Sequence, residues 1–493
     1  MKTTGAAPSR SNTGDVWDPT FEDCKHYPHF DAPLALSEIR NIVHNPTKVA
    51  HNAFFPLIQY EKRWQPFRRP KAKTKPEPEN QKPEPKNRKI RYAARRDAYI
   101  YAKYRRILSP LYESRLRSLD ISDIPIAYRK IVSRSGKGKC NIDFAKDAFD
   151  AIADLTNAFV ITLDISKFFE SLDHQKISEI WAGLLEADSL PADHHAVFKS
   201  LTNYRWVDRV QLYERLGYFG KKQTKNGIWV NGYLKPFKDI PKQLCSPKEF
   251  REKVAGSKKF DSIIQKNSNH FGIPQGTPIS DLVANFYLLD FDVYLKDLAR
   301  KHNGRAFRYS DDIMLIVNID DESLAHDLEK QVRLKISSFG NQLTIKENKS
   351  SIHEFSIDAR GKMRCRYVKG AGKNGLEYLG FRFDGSRVFI KDSTISNLKR
   401  KLTYSARIRA KGHKRRYSNR TSVQLIDSFN FDHLFQTFMR VEEFDKAKSV
   451  KNWTFWTYAR RASETFGVPG KPILKQLKFL KPDGKRLVET LLA

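Results

Sequence analysis

Cysteine and long apolar runs are both scarce in this chain of 493 residues. Its four cysteines, Cys24, Cys140, Cys245 and Cys365, are widely scattered, and their spacing fits neither a zinc motif nor a disulfide framework. They are therefore expected to be reduced thiols. The start of the chain lacks the apolar segment of a secretory leader, and no apolar run is long enough to cross a bilayer. The sequence thus predicts a cytoplasmic protein without a membrane partner.

Acidic residues are also few relative to basic ones. The chain has 89 Lys and Arg against 56 Asp and Glu, a formal net charge of +33. Solubility alone does not require this excess, and a polyanion such as nucleic acid is its natural partner. Hydrophobic residues make up 40% of the chain, which is enough for a globular protein and excludes a wholly disordered one.

A proline-rich, charged stretch separates the N-terminal region from the rest. Residues 70–85 contain almost no apolar side chains, so they cannot pack into a core. We predict an N-terminal extension over residues 1–69 and a flexible loop or linker over residues 70–87.

Two adjacent carboxylates, Asp311 and Asp312, stand between two short apolar runs. This pattern predicts the tip of a β-hairpin, where like charges would repel one another unless a cation lies between them. A second apolar run, residues 159–163, reads as a buried strand that ends at Asp164. If that strand end lies beside the hairpin, three carboxylates converge and can hold two metal ions about 4 Å apart for in-line phosphoryl transfer.

These boxes, in this order, resemble the palm motifs of reverse transcriptases. Asp164 matches the first catalytic aspartate, and residues 309–312 (YSDD) match the Tyr-x-Asp-Asp box. Between them, residues 271–280 (FGIPQGTPIS) resemble the Pro-Gln-Gly segment that contacts the incoming nucleotide and the template. The resemblance implies an α+β fold of the right-hand polymerase type, with fingers, a palm built on an antiparallel sheet, and a helical thumb.

The resemblance also implies a catalytic and metal-binding set. The implied catalytic residues are Asp164, Asp311 and Asp312. The same three residues and Ile165 would form the site for two Mg²⁺ ions, with Mn²⁺ as an alternative metal. Asp164 and Asp311 are expected to ligate the metal directly, whereas Asp312 is expected to support the site near the primer end.

Five further residues are implied to bind the nucleotide. Arg88 and Arg91 lie on a basic stretch similar to the first fingers motif, and guanidinium groups match phosphate oxygens. Phe169 stands where reverse transcriptases place an aromatic ring that clashes with a ribose 2′ hydroxyl, so deoxynucleotides should be preferred. Gln275 belongs to the Pro-Gln-Gly segment. Lys349 matches a lysine that approaches the leaving pyrophosphate as a general acid or electrostatic stabiliser.

Contacts with nucleic acid are implied in three places. Tyr378, Leu379 and Gly380 resemble the primer grip, a hairpin in which glycine allows a backbone to approach closely. The basic tail that follows is expected to contact phosphates through four residues, Lys399, Arg400, Arg407 and Arg409. Residues 204–213 interleave aromatic and basic side chains and read as helices, whose rings would either stack on bases or pack in a core.

The resemblance divides the chain into polymerase regions. After the extension and linker, the predicted regions are fingers and insertion at 88–155 and 186–265, palm at 156–185 and 266–383, and a basic helical thumb or C-terminal region at 384–493.

The overall layout most resembles the bacterial "unknown group" and abortive-infection reverse transcriptases. That resemblance implies RNA-directed DNA polymerisation from deoxynucleoside triphosphates in antiphage defence, a dedicated noncoding RNA as template, and oligomers in some members. Template-independent or protein-primed DNA synthesis by the same site stays open. A function of another class, a non-catalytic RNA-binding scaffold on a polymerase fold, stays open as well.

Overall fold

A computed structural model of the chain describes residues 17–64, 86–133, 136–224, 227–345, 347, 350–370, 372, 374–436, 438 and 454–493. Most of the predicted linker, up to residue 85, and Lys349 lie outside the described residues. The chain forms two compact units. The first unit comprises Met1–Lys62, Arg88–Asp120 and Lys167–Leu288, and the second comprises Arg63–Asn87, Ile121–Ser166 and Leu289–Ala493.

The described strands are, in chain order, β1 (Leu57–Trp64), β2 (Lys86–Tyr92), β3 (Asn157–Asp164), β4 (Arg205–Asp208), β5 (Phe219–Gln223), β6 (Trp229–Tyr233), β7 (Gln265–Lys266), β8 (Arg305–Tyr309), β9 (Asp312–Val317), β10 (Ser351–Ile357), β11 (Met363–Gly370), β12 (Leu376–Tyr378), β13 (Phe381–Phe383) and β14 (Val388–Ile390). The described α-helices are α1 (Leu36–Val43), α2 (Pro46–Ala50), α3 (Arg95–Ser118), α4 (Asn141–Ala153), α5 (His174–Leu184), α6 (Ala192–Thr202), α7 (Arg209–Arg215), α8 (Pro247–Glu249), α9 (Ser280–Phe286), α10 (Leu289–Lys301), α11 (Glu322–Ser337), α12 (Asp392–Arg416), α13 (Ser422–Asp427), α14 (Phe431–Phe435), α15 (Phe455–Phe466), α16 (Lys471–Lys475) and α17 (Leu480–Leu492).

The first unit contains a mixed four-stranded sheet in the order β2-β1-β4-β7. Strand β1 runs parallel to β4, and β4 runs antiparallel to β7. The fully buried side chains of Ile58, Val207 and Leu212 form part of the core of this unit. The basic stretch that carries Arg88 and Arg91 forms β2, and α3 follows it. Helix α3 buries an apolar or aromatic residue every fourth position from Ile100 to Leu116, as one packed helix face requires.

One prediction for this unit is wrong in part. Residues 204–213 were expected to be helical, but Arg205–Asp208 form strand β4 and only Arg209–Arg215 form a helix. The reason is tertiary: β4 is paired on both sides, by β1 and by β7, and Val207 is fully buried in the core. Sheet pairing therefore overrides the local pattern.

The second unit is built on a five-stranded sheet in the order β11-β10-β3-β9-β8. Every neighbouring pair of strands is antiparallel. Strand β3 lies at the centre, and its residues Ala158–Ile161 are all buried, which explains why it reads as a continuous apolar run. The predicted buried strand ending at Asp164 is confirmed.

Two helices of the second unit follow their sequence signals. Asp321 caps α11, where its side chain accepts a hydrogen bond from the Ser323 N–H at 2.8 Å. Helix α12 in the predicted basic tail buries one stripe, from Ile395 to Ala410, that packs into the core of the unit. Apart from β14, the regular elements described within residues 384–493 are helical.

The mixture of helices and antiparallel sheet confirms the α+β class and is consistent with a right-hand polymerase. The two units divide at Ser166/Lys167 and at Leu288/Leu289, inside both predicted palm segments. The assignment of residues to fingers, palm and thumb therefore stays a prediction. No helix in the described part of the chain is long and apolar enough to cross a membrane.

Candidate active site

The three predicted catalytic aspartates lie at one end of the sheet in the second unit. Asp164 ends β3, Asp312 begins β9, and the two residues are directly opposite in the antiparallel register. Directly opposed side chains point to the same face, with Cβ atoms about 5 Å apart. Beside them, the Ile165 N–H donates to the Asp311 carbonyl oxygen at 3.0 Å. The backbone thus brings together acids from two distant parts of the sequence.

The predicted hairpin tip is confirmed. Tyr309 and Asp312 are paired as the last residues of the β8–β9 ladder, which leaves Ser310 and Asp311 as a two-residue loop. Ser310 has a φ of 61°, the left-handed region that two-residue hairpin turns use at their first loop position. The loop carries Asp311, whereas Asp312 already belongs to the strand.

A buried ion pair anchors this hairpin. The Arg308 guanidinium donates to both carboxylate oxygens of Asp292 on α10, each at 2.6 Å, and both side chains are fully buried. A third bond runs from Arg308 Nη1 to the Ser310 carbonyl at 3.2 Å. Burial raises the pKa of Asp292, while the charge and hydrogen bonds of Arg308 act in the opposite direction. The loop that carries Asp311 is therefore tied to α10.

Two tyrosines lie within electrostatic reach of the exposed Asp312 side chain. Burial raises the pKa of Tyr378 well above its ordinary value, and the nearby Asp312 and Tyr309 add to the shift. The pKa of Tyr309 is also raised, first by burial and then by Tyr128 and Asp312. The Tyr378 hydroxyl is buried and has no hydrogen-bond partner among the described residues. A predicted primer-grip residue therefore lies within electrostatic reach of a predicted catalytic one.

The donor chemistry of the acids fits Mg²⁺. Carboxylate oxygens are its usual protein ligands, and neighbouring carboxylates in partly buried surroundings repel one another unless a cation is bound. Within the described ranges no three His, Cys, Asp or Glu side chains are arranged as a finished metal site. The backbone brings the three aspartates to the same end of the sheet. Asp164, Asp311 and Asp312 are the residues that would hold the ion. Ile165 can add only its main-chain oxygen, and its place in the metal set stays a prediction.

The predicted primer grip is a tight turn in the second unit. Tyr378 and Phe381 are paired across it, and its two loop residues have positive φ angles, 45° at Leu379 and 92° at Gly380. This is the pattern of a type I′ turn. The Asn141 side-chain amide donates to the Leu379 carbonyl at 3.1 Å, and a Cβ built on Gly380 would meet open space. The turn is held in place and leaves room beside Gly380, but its contact with a primer stays a prediction.

The predicted nucleotide segment belongs to the first unit and is held from two sides. The Ile273 N–H donates to the Phe169 carbonyl at 2.7 Å, and the Arg91 N–H donates to the Gln275 carbonyl at 2.8 Å. The Gln275 side chain is half-buried, and it makes no hydrogen bond to the part of the chain that is described. At Gly276, with φ at 120°, an added Cβ would lie 2.6 Å from the Arg91 carbonyl oxygen. The segment therefore has a fixed backbone and a side-chain amide available for a ligand.

The two predicted phosphate-binding arginines differ in their surroundings. Arg88 is exposed on β2. Arg91 is only 3% exposed, and its guanidinium carbon lies 5.0 Å and 5.1 Å from the ring centres of Tyr204 and Trp206. Its Nη1 is 3.7 Å from a carboxylate oxygen of Glu170. The structure thus holds Arg91 within an aromatic clamp that the sequence reasoning missed, although the ring spacing at Tyr204 and Trp206 was a signal for it.

The remaining predicted residues are placed as follows. Phe169 lies in a short 3₁₀ turn of the first unit, is 9% exposed, and packs edge-on against Phe168 with ring centres 5.9 Å apart. On α12 in the second unit, Arg400 and Arg407 are exposed. Lys399 lies over the Phe479 ring, and Arg409 donates to the His433 ring nitrogen at 2.7 Å. Nucleotide and nucleic-acid contacts of these residues stay predictions.

No protein-family model and no curated protein matches the sequence. Among solved structures the chain is similar to telomerases. The apo telomerase of Candida tropicalis, truncated from its C-terminal domain, shares 11% identity over 62% of this chain and 53% of that one, with a TM-score of 0.35. The telomerase of Candida albicans, in complex with a TWJ fragment of telomeric RNA, shares 11% identity over 92% of this chain and 64% of that one, with a TM-score of 0.36. The chain spans less than two thirds of either neighbour, and similarity this low carries no argument about function.

Removal of Arg308 alone should strongly destabilise the second unit. Arg308→Met leaves the Asp292 carboxylate buried and unpaired, so we expect a loss of about 3–5 kcal/mol in the free energy of unfolding. The double variant Arg308→Met/Asp292→Leu removes both charges and should lose clearly less. Denaturant titration of the three proteins checks this, and equal losses in the single and double variants would contradict it.

Gly276→Ala should displace the nucleotide segment. The new methyl group meets the Arg91 carbonyl in a backbone conformation that already disfavours alanine, and we expect a cost of about 1–3 kcal/mol. Gly217→Ala is the matched control in the same unit, because Gly217 also has a positive φ, 76°, but nothing lies within 4 Å of its added Cβ. Thermal unfolding should show the larger loss for Gly276→Ala, and an equal loss would refute the close-approach argument.

Proposed function

We propose that this protein is a reverse transcriptase that polymerises deoxynucleotides into DNA on an RNA template, with divalent metal ions at the three aspartates. The observation that carries the proposal is the register that sets Asp164 opposite Asp312, with the Asp311 carbonyl bonded to the next residue of the first box. The Pro-Gln-Gly segment between the two boxes and the net charge of +33 support the same function.

The chain's own residues divide the work of nucleotidyl transfer. Asp164, Asp311 and Asp312 supply the carboxylate oxygens at the strand end. Divalent ions bound there would activate the attacking 3′ hydroxyl and neutralise charge on the leaving pyrophosphate. Tyr309 and Tyr378 lie within electrostatic reach of Asp312, whose own side chain is exposed to solvent. The Gln275 amide, on its fixed backbone, is available to contact the nucleotide or template.

The wider role is proposed from the resemblance to defence-associated bacterial enzymes. It comprises antiphage defence in the cytoplasm, deoxynucleoside triphosphates as substrates and a dedicated noncoding RNA as template. Template-independent or protein-primed synthesis would use the same acids, so an assay should include templated, untemplated and primer-free reactions.

Asp311→Asn should abolish DNA synthesis. Loss of one metal-binding carboxylate removes several kcal/mol of transition-state stabilisation, so we expect deoxynucleotide incorporation to fall about a thousandfold. Asp297→Asn is the control, because Asp297 is an exposed acid of the same unit outside the site. Primer extension with labelled nucleotides measures both variants, and EDTA should stop the wild-type reaction until Mg²⁺ is restored.

Two outcomes would count against this proposal. Incorporation by Asp311→Asn at the wild-type rate would remove the aspartate from the chemistry. If the variant loses incorporation but keeps the biological effect in cells, the non-catalytic scaffold becomes the better account.

Phe169→Val should relax selection of the sugar. A smaller side chain removes the ring that would clash with a 2′ hydroxyl, so ribonucleotide incorporation relative to deoxynucleotide should rise about tenfold or more. Phe168→Val is the control from the same turn. The ratio of kcat/KM for the two sugars is the measurement, and an unchanged ratio would remove Phe169 from this role.

A further inference from the structure

The first unit contains a cavity of about 440 Å³, here called the basic pocket, whose lining includes both aromatic and cationic side chains. The rings of Phe54 and Tyr101 are stacked with their centres 5.6 Å apart. Three exposed cations, Lys199, Arg205 and Lys266, also line the cavity. Volumes of this size are typical of sites for small ligands. The pocket therefore offers a flat apolar surface beside concentrated positive charge.

The arrangement of these cations is electrostatically unfavourable. Arg205 on β4 and Lys266 on β7 are directly opposite in an antiparallel pair, so two like charges extend from the same face. Opposed like charges destabilise a sheet. The side chains of these two residues and of Lys199 on α6 make no ion pair or hydrogen bond within the described part of the chain. An anion bound among the three would remove the repulsion.

The lining also fits a base. Phe54 is half-buried, so part of its ring remains accessible. Aromatic rings stack on every nucleobase, and neighbouring cations can track the phosphates that link the bases. Asn203 and Ser200 add polar groups to the same wall. A phosphate with an attached planar base could contact both the aromatic ring and the cations of the pocket, whereas an isolated inorganic anion would contact only the cations.

The wall of the pocket continues toward the predicted nucleotide segment. Tyr204 lines the pocket and also forms one side of the aromatic clamp on Arg91. The N–H of Arg91 donates to the Gln275 carbonyl at 2.8 Å. All of these residues belong to the first unit. A ligand in the pocket would therefore lie beside a ring that packs on the Arg91 guanidinium.

We propose that the basic pocket binds one nucleotide of a single-stranded nucleic acid, with its phosphodiester among Lys199, Arg205 and Lys266 and its base against Phe54. The identity of the ligand rests on the proposed polymerase function, but binding to the pocket requires no synthesis. The pocket belongs to the first unit, whereas the three aspartates belong to the second.

The test is equilibrium binding of fluorescent single-stranded RNA and DNA oligonucleotides to the full chain, in EDTA and over a range of salt concentrations. The triple variant Lys199→Gln/Arg205→Gln/Lys266→Gln should reduce the slope of log affinity against log salt by about 2, because each phosphate contact on a single strand contributes about 0.7. Phe54→Leu should weaken binding about tenfold and leave the slope unchanged, since it removes stacking and no charge. Comparison of RNA with DNA shows which strand the pocket prefers.

A matched control removes the same charge elsewhere in the first unit. Lys235→Gln/Lys238→Gln/Lys258→Gln changes three exposed lysines outside the pocket. All variants should retain the wild-type melting temperature within a few degrees. Equal slopes for the two triple variants would overturn the proposal, as would displacement of the oligonucleotide by equimolar AMP. Failure of the pocket leaves Asp311-dependent synthesis intact, whereas failure of the polymerase function leaves pocket binding intact, so the two are distinguishable.

Discussion

The alignment of β3 with β9 is the constraint on which the candidate active site depends. Strand side chains alternate between faces, so a slip of one residue would turn Asp164 away from the face that carries Asp312. Strand β10 fixes the other side of β3 and prevents such a slip. Arg308 then secures the loop, because its bonds to Asp292 and to the Ser310 carbonyl leave that turn little freedom. Core packing and one buried ion pair thus determine where the acids stand.

Each unit contains a cluster of like charges, which is negative in the second unit and positive in the first. The second unit brings three carboxylates to the end of a buried strand, and the first unit sets Arg205 opposite Lys266 beside an aromatic surface. Either arrangement costs free energy in the absence of a ligand of the opposite sign. In the proposed function, divalent cations would neutralise the first cluster and phosphates the second. Both ligands belong to the chemistry of nucleic-acid synthesis, so one proposed function accounts for both unfavourable clusters.

The sequence was informative where local pattern determines structure. The buried strand that ends at Asp164 and the hairpin tip at Asp311 and Asp312 were both predicted, because strands and hairpins are determined largely by neighbouring residues. That the acids meet at one end of the sheet was inferred only because adjacent carboxylates at an apolar hairpin tip would repel one another without a cation. The resemblance to a polymerase family supported that inference, because the sequence boxes follow one another along the chain in the order of that family's motifs.

The local sequence pattern did not predict which residues far apart in the sequence contact one another. Asp292 reads as an ordinary acid on a helix, and only the folded sheet shows that it is the buried partner of Arg308. Arg91 is predicted from the sequence only as a phosphate ligand on a basic stretch, yet Tyr204 and Trp206 enclose its guanidinium after β4 pairs into the sheet. Burial of a charge depends on residues far away in sequence, and local periodicity carries no information about them.

The central claim is that the three aspartates form a site for divalent cations. Titration of the full chain with Mn²⁺, followed by electron paramagnetic resonance of the free ion, measures this binding without any polymerisation. The account predicts tight Mn²⁺ binding that Asp164→Asn weakens at least tenfold and Asp297→Asn leaves unchanged. Equal binding by the wild type and Asp164→Asn would contradict it.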